Sequence, residues 1–129
     1  MIIRPVSEIE SKTITPLEHE GKKVDVGNVK MKWLTHKDME GQKIDFAVRH
    51  ITLESGSTIP SHEHEHCHTV YVMKGKLEVT SGDETKEIGP DTLYYVPPFE
   101  PHSAKSIGNE PAVIICCINC IGEGENCAP

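Results

Sequence analysis

Gly56-Ser-Thr-Ile-Pro-Ser-His62-Glu-His64-Glu-His66-Cys-His68-Thr-Val-Tyr-Val-Met-Lys-Gly75 places four histidines within seven positions, between a glycine turn and an alternating apolar run. Side chains alternate across an extended chain, so residues two apart share a face. His62 and His64 therefore converge on one point, and His68, at the start of the next apolar run, reaches that point where the intervening residues bend. Neutral imidazoles suit Mn, Fe, Ni, Cu or Zn. A solvated histidine-rich tract is the plainer reading, but such tracts sit at termini or in low-complexity stretches, and this one lies between strand signals.

Working outward, Thr69–Met73 and Lys76–Thr80 read as strands hinged at Gly75. Ser81-Gly-Asp-Glu reads as a hairpin turn before Thr85–Ile88, and Gly89-Pro-Asp as a turn before Leu93–Val96. Pro97-Pro-Phe-Glu-Pro is a rigid loop, and Ala112–Asn119 a long apolar strand. On the N-terminal side, Asp45–Leu53 and Val29–Leu34 are strands, with a turn at Glu54-Ser-Gly-Ser. Turn residues every ~8–12 positions mark an all-β sandwich or barrel. Helix signals are nearly absent; Thr35–Met39 is expected to form one helical turn at most. The organisation expected is a single domain over 1–129: an N-terminal segment 1–28 with β-prone pieces such as Lys23–Val26, a barrel over 29–119, and a Cys/Gly tail at 120–129.

The 13 basic and 20 acidic residues give a formal charge of -7. Nucleic-acid binding needs a basic stripe to displace condensed counterions, and an anionic membrane surface needs the same sign, so neither partner is expected. No run of ~18 apolar residues exists to span a bilayer. The N-terminus carries Glu8 and Glu10 where a signal peptide would need an apolar core, and the five cysteines (67, 116, 117, 120 and 127) are odd in number. A cytoplasmic protein is the expectation.

Gly56-x5-His62-x-His64-x3-His68-x6-Gly75 resembles the first motif of the cupin superfamily. Gly89, Pro97 and His102 resemble the second. The resemblance implies a double-stranded β-helix, the cupin jelly-roll barrel, with a metal in its mouth held by His62, His64, His68 and His102. His68 stands where most cupins have Glu, Phe99 where the second motif usually has Gly, and Ser106 where it has Asn. The His68 departure is similar to the small four-histidine cupins, which implies one divalent transition metal, manganese first. A homodimer is expected because an open jelly roll leaves edge strands and an apolar sheet face to cover, and residues 1–28 could pair with a partner's sheet as in similar cupins.

Four neutral ligands leave a divalent ion its full positive charge, which lowers the pKa of bound water and attracts anionic chelators. Structural zinc is instead closed by four tetrahedral ligands. His66 is expected at the pocket rim, and Glu63 and Glu65 in solvent. Arg49 reads either as an exposed strand residue or as a pocket cation for a carboxylate. Ile59, Ala104, Ile114 and Cys116 are expected in the pocket wall, and Cys117-x2-Cys120-x6-Cys127 is a weak candidate for a second metal or redox site. His19, His36 and His50 read as ordinary. The leading function is a metal-dependent oxidoreductase of dioxygenase type acting on a small organic molecule. A non-catalytic module that senses or stores a metal or small ligand is the alternative, and a sugar or sugar-phosphate isomerase the third reading. No general acid or base is visible beyond the ligands and His66.

Overall fold

A computed structural model describes residues 1–14, 17–19, 22–24, 27–35, 38–63 and 65–120. After a 3-10 turn at Val6–Glu8, the strands are β1 (Lys12–Thr13), β2 (Leu17–His19), β3 (Lys22–Val24), β4 (Val29–Thr35), β5 (Asp38–Met39), β6 (Gln42–Lys43) and β7 (Phe46–Leu53). They continue as β8 (Thr58–His62), β9 (His68–Lys74), β10 (Leu77–Ser81), β11 (Glu84–Ile88), β12 (Thr92–Val96), β13 (His102–Ser106) and β14 (Ala112–Asn119). Among the described residues these form a six-stranded sheet ordered β1-β4-β7-β14-β9-β12, a four-stranded sheet ordered β11-β10-β13-β8, and two small hairpins. All neighbours are antiparallel, and the two larger sheets enclose one core as a jelly-roll barrel. No helix among the described residues is long and apolar enough to cross a membrane.

The alternation in the sequence sets which side chains fill that core. On β14 Ala112, Ile114, Cys116 and Ile118 are buried, while the residues between them are half-buried or exposed. β7 sends in Ala47, Arg49, Ile51 and Leu53, and β9 sends in His68, Val70 and Val72. Leu77, Val79 and Ala104 meet them from the four-stranded sheet. Each fully buried Val, Leu or Ile contributes roughly 1.5–3 kcal/mol relative to exposure. Arg49 and His68 interrupt this apolar set, and their positions mark where the core gives way to a site.

Three local outcomes depart from the sequence pattern. Of the span Thr35–Met39, where one helical turn is expected, residues 36–37 lie outside the described residues and the others are extended: Thr35 ends β4, and Asp38–Met39 pairs with Gln42–Lys43 across Glu40 and Gly41. Those two residues have φ of 51° and 78°, the two left-handed positions a tight type I′ hairpin requires. His102–Ser106 becomes a strand although Ala104 is its only apolar residue, because β10 and β8 flank it on both sides. Lys12–Thr13 pairs with Met31 and Lys30 of the same chain, so this part of the 1–28 segment extends its own sheet.

The loop before β13 holds Phe99 at φ 63°, a left-handed conformation that costs a residue with a Cβ about 1 kcal/mol. Phe99 is mostly exposed, so its ring forfeits little packing when removed. Phe99→Gly is therefore expected to raise stability by about 0.5–1 kcal/mol, read as a higher urea midpoint at unchanged slope. A lower midpoint would show that the exposed ring contributes more than the strain.

Candidate metal and ligand site

β8 and β13 lie side by side, with His62 the register partner of His102. Between His102 and Ala104 the register slips, so that two steps along β13 span three along β8, from His62 to Ile59. The extra residue falls at Pro60–Ser61, on an edge strand where proline's missing N–H breaks no inner ladder. Such a bulge re-aims side chains. Here it allows Ile59 and His62, an odd number of residues apart, both to line the same cavity. His68 approaches from the opposite sheet, at the first residue of β9.

The rings of His62 and His102 are 4.4 Å apart between centroids, and those of His68 and His102 are 5.0 Å apart. His62 donates from Nδ1 to the Pro60 carbonyl at 2.8 Å, and His102 from Nδ1 to the Glu100 carbonyl at 2.8 Å. A carbonyl only accepts, so in both rings the proton is on Nδ1 and the lone pair on Nε2. That outer hydrogen bond is the one metal-ligating histidines make. His68 Nδ1 lies 3.0 Å from Cys116 Sγ. Burial pushes the His102 imidazole below its ordinary pKa, with the charge of Arg49 acting the same way and the contacts to Glu100 opposing, which favours the neutral form that binds metals. His64 lies outside the described residues. Among the described residues no three His, Cys, Asp or Glu side chains form a ready metal-holding group. The donor set of His62, His68 and His102, two of them with tautomers anchored by carbonyls, nevertheless fits a divalent transition ion in chemistry.

The cavity these rings face has a volume of about 190 Å³. Arg49, Ile59, Ala104, Ile114 and Cys116 all line it, together with Ile14, Met31, Trp33, Ile51, Val70, Tyr94 and Ser103. Arg49 is not an exposed strand residue: it is only 4% exposed. Its Nη2 donates to Cys116 Sγ at 3.1 Å, its guanidinium sits 5.6 Å from the Trp33 ring centroid, and its Nε has no hydrogen-bond partner. Among the described residues no carboxylate pairs with it. Burial raises the Cys116 thiol above its usual range, and the adjacent Arg49 pulls the other way. Burial likewise holds the Tyr94 phenol well above its ordinary value, so it remains a neutral donor.

His66 does not stand at the rim. It is buried in the bend before β9, where strand parity no longer applies, and is not among the residues lining the cavity. Glu63 and Glu65 are exposed. Cys67 lies outside the cavity, bonded to Asn119 Oδ1 through its backbone N–H at 3.0 Å. Cys117 is a free thiol and Cys120 is disulfide-bonded, so the two do not form a C-x2-C site; Cys127 lies outside the described residues. Tyr94 and Trp33 went unmarked in the sequence. The alternation of β12, with Val96 and Tyr94 in and Leu93 and Tyr95 out, was the available signal for Tyr94.

Among solved structures, the chain is similar to a polyketide cyclase from Streptomyces resistomycificus, at 19% identity and a TM-score of 0.75 over 94% of this chain and 80% of that one. It is also similar to a predicted oxalate decarboxylase from Thermotoga maritima, at 21% identity and a TM-score of 0.72 over 94% of this chain and 100% of that one. At these identities the likeness establishes the shared barrel. An uncharacterized protein of Methanocaldococcus jannaschii is 33% identical over 63 residues, 48% of this chain, and the match spans about half (50%) of that relative's length. The cupin-domain family model matches residues 49–118, from Arg49 through the second histidine motif to Ile118 on β14. A match over that span, on a barrel of this topology, makes the chain a member of the cupin family.

Proposed function

We propose that the chain is a metal-dependent enzyme, an oxidoreductase of dioxygenase type, that acts on a small organic molecule at His62, His64, His68 and His102. The observation that carries this reading is the pairing of converging imidazoles with a buried Arg49, which meets no carboxylate among the described residues, in one apolar cavity. A buried guanidinium without a counter-ion is costly, and a bound anion would offset that cost. When bound, a divalent transition metal supplies Lewis-acid polarisation and, for Mn, Fe or Cu, single-electron chemistry.

The chain's own residues then have distinct tasks. The Pro60 and Glu100 carbonyls hold two imidazoles in one tautomer and orientation. Arg49 binds an anionic oxygen, and Trp33, Met31 and Ile51 keep water from competing for it. Tyr94 supplies a neutral O–H. Among the described residues no carboxylate lines the cavity, which speaks against hydrolysis by a carboxylate base. Among the described lining residues, sugars would find only Ser103 and Tyr94 as hydroxyl partners, which disfavours the isomerase reading. Solved cupins bearing the names polyketide cyclase and predicted oxalate decarboxylase fit a site for small carbonyl-rich molecules.

Purified protein loaded separately with Mn, Fe, Ni, Cu and Zn is expected to hold one ion per chain. It is expected to consume O2 with at least one member of a panel of diketones, phenols, alkenes and carboxylates. One bound ion with no turnover across the panel would move the assignment to a sensing or storage module. A closed tetrahedral ion that admits no added ligand would make the site structural.

A further inference from the structure

We infer that the cavity takes a small organic carboxylate with an apolar body, not a dicarboxylate or a polyol; this rests on the cavity's being a substrate site. The inward residues of the six-stranded sheet are stacked in layers, each two residues or about 6.7 Å along the strands. The first layer holds His68, beside Ile118 on β14. The second runs across four strand pairings as Trp33–Arg49–Cys116–Val70–Tyr94. The third runs Met31–Ile51–Ile114–Val72–Thr92, and the three of these that line the cavity, Met31, Ile51 and Ile114, carry no nitrogen or oxygen in their side chains.

The opposite sheet repeats the order. His62 and His102 face the histidine layer, and Ile59 and Ala104 follow as the next paired step inward. Among the described residues that line the cavity, the polar atoms that could hold a charged ligand are thus confined to the first two layers; the next inward pair on the opposite wall, Ser57 and Ser106, is buried outside that lining. Ile14 adds to the apolar lining from the segment beside β1.

This order dictates the ligand's polarity. Its anionic oxygens belong between Arg49 and the histidines, where the unpartnered Nε and the imidazole edges lie. Its remaining atoms belong against Met31, Ile51 and Ile114, where a hydroxyl or a second carboxylate would lose its water without gaining a partner. A volume of about 190 Å³ is that of roughly six waters in the liquid, enough for a molecule of about ten heavy atoms and too little for a drug-sized one. Phenylacetate and 3-methylbutanoate match these demands. Oxalate would leave the third layer empty.

The test is isothermal titration of the full chain, metal-free and manganese-loaded, with phenylacetate, 3-methylbutanoate, phenylacetamide, oxalate and glucose. The two monocarboxylates are expected to bind at least tenfold more tightly than the amide, oxalate and glucose. Arg49→Met is expected to lower phenylacetate affinity at least tenfold and leave that of the amide unchanged. Oxalate binding as tightly as phenylacetate, or the amide matching the acid, overturns the inference. Should Arg49→Met not fold, the ranking on the unsubstituted chain decides. A chain that binds phenylacetate in this order but takes up no metal overturns the proposed function and leaves the inference standing. A chain that takes up metal and turns over substrate but prefers oxalate does the reverse.

Discussion

Alanine in place of His68 or His102 is expected to lower metal affinity by at least a hundredfold, read as loss of bound ion after dialysis against a weak chelator. Disrupting a partner that merely orients a ligating histidine costs 10–100-fold, about 1.4–2.7 kcal/mol, so loss of a ligand should reach or exceed the upper end. The two residues come from different sheets: His102 is the register partner of His62 in the four-stranded sheet, and His68 opens β9 in the six-stranded one. Losing either removes one wall of the site. His66→Ala and His50→Ala serve as controls, since neither residue lines the cavity. Both are expected to keep full occupancy. Full occupancy in His68→Ala would show that it does not stand in for the acidic ligand of the first cupin motif.

The largest effect on stability is expected at Gly75. Its φ is 80°, and a Cβ built there lies 2.7 Å from both Ala112 Cα and the Pro111 carbonyl oxygen. Both are backbone atoms at the start of β14, which is paired on both sides and cannot yield without disturbing the middle of the sheet. Gly75→Ala is expected to cost about 2–4 kcal/mol, the sum of left-handed strain and steric overlap. That is a large fraction of the roughly 5–15 kcal/mol that holds a domain folded. Gly56→Ala separates the two contributions: its φ is 83°, yet nothing lies within 4 Å of the added Cβ, so only about 1 kcal/mol should be lost. Equal urea midpoints for the two variants would show that the close approach to β14 contributes nothing.

The strands were largely legible because their causes are local. β14 matches the expected Ala112–Asn119, and β4, β7, β9, β10, β11 and β12 depart from expectation by about one residue at their ends. In each, alternating side chains and flanking turn residues state both the period and the limits. β13 was not legible, since His102–Ser106 is extended by its two neighbours and not by its own side chains.

Within the site, Arg49, Ile59, Ala104, Ile114 and Cys116 could be nominated from the sequence and do line the cavity. The reasons they meet are tertiary. Strand parity alone puts Ile59 and His62 on opposite faces; the register slip at Pro60–Ser61 brings both inward. His66 shares parity with His62 and yet is buried in a bend, outside the cavity. Met31, Trp33 and Tyr94 join the wall because the sheet brings β4 and β12 round the cavity, on strands remote from the histidine motifs. The kinds of donor and the alternation that builds two sheets were readable along the chain, since both depend on side-chain chemistry and neighbours within a few residues. That a guanidinium lies beside a thiol, an indole and three imidazoles, with no carboxylate among the described residues that line the cavity, is set by tertiary structure alone. That neighbourhood draws on β4, β7, β8, β9, β13 and β14, and no local pattern encodes the distance between strands that meet only when the barrel closes.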